Sequence, residues 1–537
     1  MHSLRTAVSK VIAVGAILGT LASASAQEQR PVVNLARAMG LEFGPETTVI
    51  EEPVGADGLP DYLEATNRKL SAGVAPEENF WALAWVAMGN VERSSSEYLA
   101  AASRWLQVAI PRESRLHDIA AVNGVPERVA AAGPYYDEMQ KTVERPWKRS
   151  EHPAVVRWIE ANGMVLSQMT EAARRPKAFA PLISESQPAV ACVMLPFAQC
   201  SRPVARVLIS RAMLRIEDGD FDGAWADLTS VLRFARHLES GPTLVEHLIG
   251  AAVRTMAQEG LAHWLSRTDA SGEALEARWK ELAPLLEVPP FVEAIDWERY
   301  SYTDTAIALA AGKFPPQELD AGVPHLSLVA GETWMEQFNG ELLRRTETAV
   351  TRFLIASADI NVTLRYGNRV HDDLVAAMRP ATHMERKGTL SAILAQVQAD
   401  RAESSEPKAF LADLLLAPPG SPSLMPGKAL VGSLLPSLIH CERSYTSAVA
   451  RSRTLEAAFR FLIAARRTGA LPTSLADLIQ EDGARLSDPF DDQPLRMNSD
   501  ERGIVIWSVG PNGKDDGGQN SDERPRTDDL RTILVLP

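Results

Sequence analysis

The sequence predicts a mainly α protein, an irregular array of α-hairpins followed by a small α+β region. Three observations lead there. From about residue 59 to residue 450, apolar residues recur at helical spacing and Pro or Gly marks the breaks. From Arg451 onward the pattern changes to one amphipathic helix followed by turn-rich sequence with short apolar runs. The 537 residues also exceed several-fold the ~150-residue norm for one domain, so more than one packing unit is expected.

In chain order, residues 1–26 read as a cleavable secretory signal, which predicts a periplasmic or secreted protein. Arg5 and Lys10 form a positive start, residues 11–21 an apolar run, and Ala24-Ser25-Ala26 a small-residue cleavage site before Gln27. An uncut membrane anchor is the competing reading, but the run is shorter than the ~20 residues a span takes. No later stretch is long and apolar enough to cross a membrane, so no integral span is expected once the signal is removed. Residues 27–58 mix Pro and Gly and read as irregular.

The helical body, residues 59–450, is clearest over residues 203–265. Ala205, Leu208, Ala212 and Ile216 mark one helix, with Pro203 suited to its first turn. Glu217-Asp218-Gly219-Asp220 ends it. Ala224, Leu228, Val231, Leu232, Ala235 and Leu238 mark a second helix, which Ser240-Gly241-Pro242 breaks before a third through Leu244, Leu248, Ala251 and Ala252. Three antiparallel helices with short connections are the grammar of an α-hairpin array. In the tail, residues 451–537, Leu455, Ala458, Phe459 and Leu462 mark a helix with Arg460, Arg466 and Arg467 outside. A short helix at 475–479 and strands at 495–498, 503–508 and 530–536 are expected, giving a helix packed on a small antiparallel sheet.

Charge narrows the partners. Sixty-nine acidic against 55 basic residues give a net charge of −14, which argues against nucleic acid. Cys192, Cys200 and Cys441 are the three cysteines; Cys192 and Cys200 are either a local disulfide or buried thiols.

The corner Gly219-Asp220-Phe221-Asp222-Gly223-Ala224 resembles the inter-helix turn of a tetratricopeptide repeat, without a repeated ~34-residue period, so the packing is expected to be TPR-like. In the tail the order Gly469-Ala470-Leu471-Pro472-Thr473-Ser474-Leu475, Asp488-Pro489-Phe490, Trp507-Ser508-Val509-Gly510-Pro511-Asn512-Gly513 and Asp528-Asp529-Leu530 resembles the globular head of the major pseudopilin of type II secretion systems. That family starts with an uninterrupted apolar assembly helix; here the corresponding helix is charged and follows about 450 other residues, which argues against a fibre subunit. The whole chain is similar to large exported helical proteins of planctomycetes and other Gram-negative bacteria. That similarity rests on His152-Pro153-Ala154-Val155-Val156-Arg157-Trp158, Ser210-Arg211-Ala212-Met213-Leu214-Arg215, Gly241-Pro242-Thr243-Leu244-Val245-Glu246 and residues 488–518, and it implies no reaction.

The strongest candidate site is the acidic loop of the tail. Asn512, Asp515, Asp516, Asp522, Asp528 and Asp529 lie among Gly513, Gly517 and Gly518. Calcium takes six to eight hard oxygens from such flexible loops. The pseudopilin resemblance implies calcium here, with Asn512, Asp528, Asp529 and a carbonyl near Val509 as ligands, and Asn512 standing where that family has Asp. The candidate set is thus Asn512, Asp515, Asp516, Asp528 and Asp529; a solvated loop without an ion is the alternative.

Other patterns are weaker. Asp218-Gly219-Asp220-Phe221-Asp222-Gly223 fits the start of an EF-hand, but the twelfth position is Thr229 and the helix-corner reading prevails. His237, His247 and His263 could meet near Glu246, or serve as structural residues. Ser405-Glu406-Pro407-Lys408 matches S-x-x-K by chance. Phe80, Trp81, Trp85 and Trp105 read as core; Glu298-Arg299-Tyr300-Ser301-Tyr302 reads as groove lining or helix surface. No catalytic motif is found. The expected function is a non-catalytic binding or scaffold protein of the envelope with a protein or peptide partner. The alternatives are a hydrolase of envelope or extracellular polymer, and an accessory of a type II secretion or pilus-like system.

Overall fold

Helix ends in this chain are written in its capping residues. The computed structural model describes residues 34–126, 129–187, 189–313, 359–379, 382–404, 428, 431, 438–478, 486–500, 503–521 and 527–535. Among them the chain is mainly helical, with one three-stranded antiparallel sheet and one two-stranded ladder. The secretory-signal segment, Asp522 and the Ser405–Lys408 string lie outside the described residues.

The first long apolar helix, α1 (Phe80–Met88), starts where the Asn79 side chain accepts from the Trp81 N–H. Its Phe80, Trp81 and Trp85 are buried, as the core reading of those aromatics expected. After α2 (Gly133–Glu144) comes the three-helix run α3 (Ser201–Glu217), α4 (Phe221–Glu239) and α5 (Leu244–Arg267). The turn between α3 and α4 falls where the sequence placed it. Asp220 caps α4 by accepting from the Gly223 N–H at 2.9 Å, a helix cap and not an ion loop. Pro203 sits at the third position of α3, still within the first turn, where the missing N–H has no intrahelical partner to lose. A capping box of Thr243 and Glu246 opens α5.

Beyond them lie α6 (Gly272–Leu286), α7 (Val292–Ala310), α8 (Ile360–Ala377), α9 (His383–Ser404) and α10 (Leu438–Thr468). The N-terminal stretch, expected to be irregular, carries one short capped helix at Leu35–Met39; it lies along α8, where two asparagines satisfy part of its main chain. Asn361 donates to the Gly40 carbonyl and accepts from the Glu42 N–H; Asn368 donates to the Glu46 and Thr47 carbonyls. No helix among the described residues is long and apolar enough to cross a membrane.

The sheet has the order β1-β2-β5, with β1 (Arg496–Asp500), β2 (Gly503–Ser508) and β5 (Leu530–Val535); β3 (Asn520–Ser521) and β4 (Thr527–Asp528) form the small ladder. The registers pair Met497 with Ile506 and Ile506 with Thr532. Along β5, Leu530, Thr532 and Leu534 are buried while Arg531, Ile533 and Val535 face out, the two-residue alternation of a half-buried strand.

That inward face meets the helices directly. Ile504, Ile506 and Leu534 belong to the same contiguous core as Trp225 of α4, Trp264 of α5 and Phe459 of α10. The Thr532 hydroxyl donates to the Thr454 hydroxyl at 3.0 Å, and the Val535 N–H donates to the Ser266 hydroxyl at 3.1 Å. Moreover α10 runs unbroken through position 451, where the composition changes. Tail and body share a hydrophobic core.

Candidate functional site

The acidic loop turns at Gly510, Gly513, Gly517 and Gly518, all with left-handed φ of +66° to +77°. At Gly510 a side chain would also strike the Asp528 carbonyl, so the loop closes against β4 only because Cβ is missing. The five candidate ligands separate into three groups. Asn512, Asp516 and Asp528 come together: Asn512 Nδ2 donates to Asp516 Oδ2 at 2.9 Å, the Asp528 N–H reaches the same oxygen at 3.3 Å, and the Asn512 N–H points to Asp528 Oδ1 at 3.4 Å. Asp529, fully buried, turns inward and accepts from the Asp516 and Gly518 N–H groups at 3.0 and 2.8 Å. Asp515 turns away, accepting from Trp507 Nε1 at 2.9 Å and from the Gly517 N–H at 3.0 Å.

Electrostatics follow that division. Burial pushes the Asp529 carboxyl up to about 6, and Asp516 and Asp515 add to the push against the two N–H donors. The Trp507 and Gly517 donors hold Asp515 below the usual carboxylate range. Among the described residues no three His, Cys, Asp or Glu side chains converge as a ready metal cage. What gathers is two carboxylates and the Nδ2 of one amide, whose oxygen accepts from the Lys514 N–H; the carboxylate oxygens are of the hard kind calcium takes.

A residue the sequence showed only as part of a corner motif organises the surroundings. Asp488 is fully buried and accepts four hydrogen bonds: from the Phe490 N–H and Ser508 hydroxyl on one oxygen, and from the Val509 N–H and Arg496 guanidinium on the other. It thereby fixes the start of the acidic loop to the Asp488-Pro489-Phe490 corner. The Phe490 ring stands edge-on to His383, 4.9 Å between centroids. Behind it Glu442 accepts from His383, Arg386 and Thr446, a buried network joining α9 to α10. Burial pushes Glu442 up, but those three partners outweigh it and hold its carboxyl below the ordinary value. Periodicity does not report such a network, because its members stand some 60 residues apart.

The three histidines do not form a cluster. His237 bonds the Ala173 carbonyl at 3.3 Å, His247 that of Gly241 at 3.1 Å, and His263 that of Glu144 at 2.9 Å. Burial pushes His237 and His247 down to about 4, so both rings are neutral at pH 7. Glu246 is spent on its own capping box, accepting from the Thr243 N–H and hydroxyl at 3.0 and 2.7 Å.

Glu246 carries a pH prediction. Burial raises its carboxyl to about 7 against the Thr243 hydrogen bonds, so the fold favours the protonated acid. Its contribution to stability is therefore greatest below the unfolded value of ~4.3 and falls as pH rises through about 7. Glu246→Gln keeps the acceptor and deletes the charge. Its stability is expected to match the wild type at pH 4.5 and exceed it at pH 8, by at most about 4 kcal/mol at ~1.36 kcal/mol per pKa unit. Parallel pH profiles for the two proteins would refute the assignment.

One hollow, about 330 Å³ with the solvent at its mouth included, lies among His247, Ala251, Phe291, Cys441 and Tyr445. Burial pushes the Cys441 thiol up to about 12, so a neutral thiol faces a neutral imidazole and no thiolate nucleophile is available. No disulfide joins Cys192 to Cys200; Cys200 is buried and its thiol donates to the Phe197 carbonyl. Of the Glu298–Tyr302 string, Arg299 and Tyr302 point into the fold, Tyr302 donating to the Thr363 carbonyl at 2.7 Å.

Compared with protein-family models, with curated proteins and with solved structures, the chain gives no significant match.

Proposed function

We propose that this chain is an exported, non-catalytic binding or scaffold protein of the cell envelope, periplasmic or secreted, that holds a protein or peptide partner on its helical body. The observation that carries the reading is the shared core of sheet and helices. The pseudopilin-like head spends its inner face on Trp264 and Phe459, so it acts as an end-cap of a TPR-like body. That disfavours a secretion accessory docking through this face of the head. A direct test presents the immobilised mature protein to envelope extract and, separately, to peptidoglycan, polysaccharide and casein. The proposal expects a partner retained in stoichiometric amount and no polymer turnover; sustained turnover by the purified protein would overturn it.

One observation favours the hydrolase as a second reading. Glu259 of α5, 57% exposed, has its carboxyl pushed up by partial desolvation. Glu144 adds to that push and Arg451, 3.6 Å away, opposes it. Two carboxylates beside a cation can carry acid–base work. On this reading Glu259→Gln abolishes polymer turnover.

Calcium at Asn512, Asp516 and Asp528, with Asp529 behind them, belongs to the same proposal. The crowded carboxylates and the oxygen-rich donor set support it. Such an ion would pin the loop and take no part in chemistry. Calcium is expected to raise the melting temperature of the mature protein over a chelator control, and Asp528→Asn to remove most of that rise. An identical melt with and without calcium would remove the ion from the account.

A further inference from the structure

Arginines inside a fold need acceptors, because a desolvated guanidinium loses its water without replacement. Among the described residues every buried or half-buried arginine but two has one. Arg254 reaches Glu239, Arg299 Asp372, Arg386 Glu442, Arg451 Glu259 and Arg496 Asp488, and the remainder pair likewise with carboxylates or carbonyls. The exceptions are Arg202 and Arg206. Both are half-buried on α3, and neither makes a hydrogen bond or ion pair among the described residues.

Their placement is not accidental to the surface. They stand one helical turn apart, so their side chains share a stripe. Two turns further along that stripe is Met213, whose methyl packs against Gly260 of α5. The pair lies on that stripe at the N-terminal end of α3, among the least buried positions of its first three turns. Burial pushes both guanidiniums down, and Arg206 adds to the effect on Arg202, as two uncompensated like charges must.

We propose that Arg202 and Arg206 form a binding site for a tetrahedral oxyanion, a phosphate dianion free or as a monoester. Two guanidinium forks supply paired N–H donors, and a dianion neutralises both charges, which one carboxylate does not. The inference stands apart from the binding-protein reading and from the tail loop: it would hold if the chain proved to be a hydrolase.

The test is isothermal titration of the mature full-length protein with inorganic phosphate, with glycerol phosphate, and with succinate, at matched ionic strength. Phosphate is expected to bind the wild type, and Arg202→Gln and Arg206→Gln each to weaken it at least tenfold. Glycerol phosphate binding as well would assign the site to a monoester; phosphate alone would assign it to the free ion. Equal binding of succinate, equal heats in the variants, or no phosphate heat at all would overturn the proposal. Melting in phosphate-free buffer gives a second readout. Arg206→Gln deletes one of two repelling charges, so its melting temperature should hold or rise; a fall would mean that Arg206 already has an acidic partner, and would also overturn the proposal.

Discussion

Replacing Phe459 with alanine is expected to destabilise the protein by about 3–5 kcal/mol, the usual range for a buried phenylalanine. The side chain is fully buried on α10, with ring centroids 6.1 Å from Trp225, 6.4 Å from Trp264 and 5.7 Å from Trp279. Those tryptophans come from α4, α5 and α6, so the cavity would open where three body helices meet the helix that carries the sheet. The three aromatic pairs, each worth about 0.5–1.5 kcal/mol beyond its area term, place the loss towards the upper end of that range. Denaturant unfolding followed by far-UV and near-UV circular dichroism should show both signals shifting together. A variant whose near-UV signal melts early while the helical signal stays in place would mean that the cores are separable.

The second large effect is expected at Glu239 and Arg254. The pair is buried to 2% and 0% exposure, with Arg254 Nε donating to Glu239 Oε1 at 2.7 Å and Nη2 to the other oxygen. Arg254 Nη1 also caps the Leu285 carbonyl at 2.7 Å, so the one side chain ties α4, α5 and the end of α6. Removing either partner leaves a buried charge, at a cost of about 3–5 kcal/mol. Glu239→Ala and Arg254→Ala should each lose that much. The double variant Glu239→Leu with Arg254→Met should recover more than half of it, since apolar groups of similar volume need no partner. Single variants losing under about 1 kcal/mol would show that water reaches the pair.

Much of the helical run was legible because its signals are local. The corner at Gly219 and the periodic faces of α3 and α4 need only neighbours in sequence; the capping box at Thr243 is equally local but was not read. Strand β2 was legible for the same reason, as Gly503 and an apolar run bound it. What was not legible depends on partners far apart. Nothing near Asn361 says that it will hold Gly40, and nothing near Glu442 says that His383 and Arg386 will meet it. The acidic loop shows the intermediate case. Its residues were visible as a set, but their directions were not: Asp515 turns to Trp507 and Asp529 inward, for reasons set by the sheet. Arg202 and Arg206 look like ordinary surface arginines on an amphipathic helix. Only the folded chain shows that they are half-buried without an acceptor.

The central claim is that the small sheet is an end-cap sharing one core with the helical body. Native-state hydrogen exchange on the full-length chain tests it most directly. If the core is one cooperative unit, the slow amides of β2 around Ile504 and Ile506 and those of α5 around Leu261 and Trp264 will open with the same free energy and the same denaturant dependence. Sheet amides that open several kcal/mol below the α5 amides, with a small denaturant dependence of their own, would contradict it.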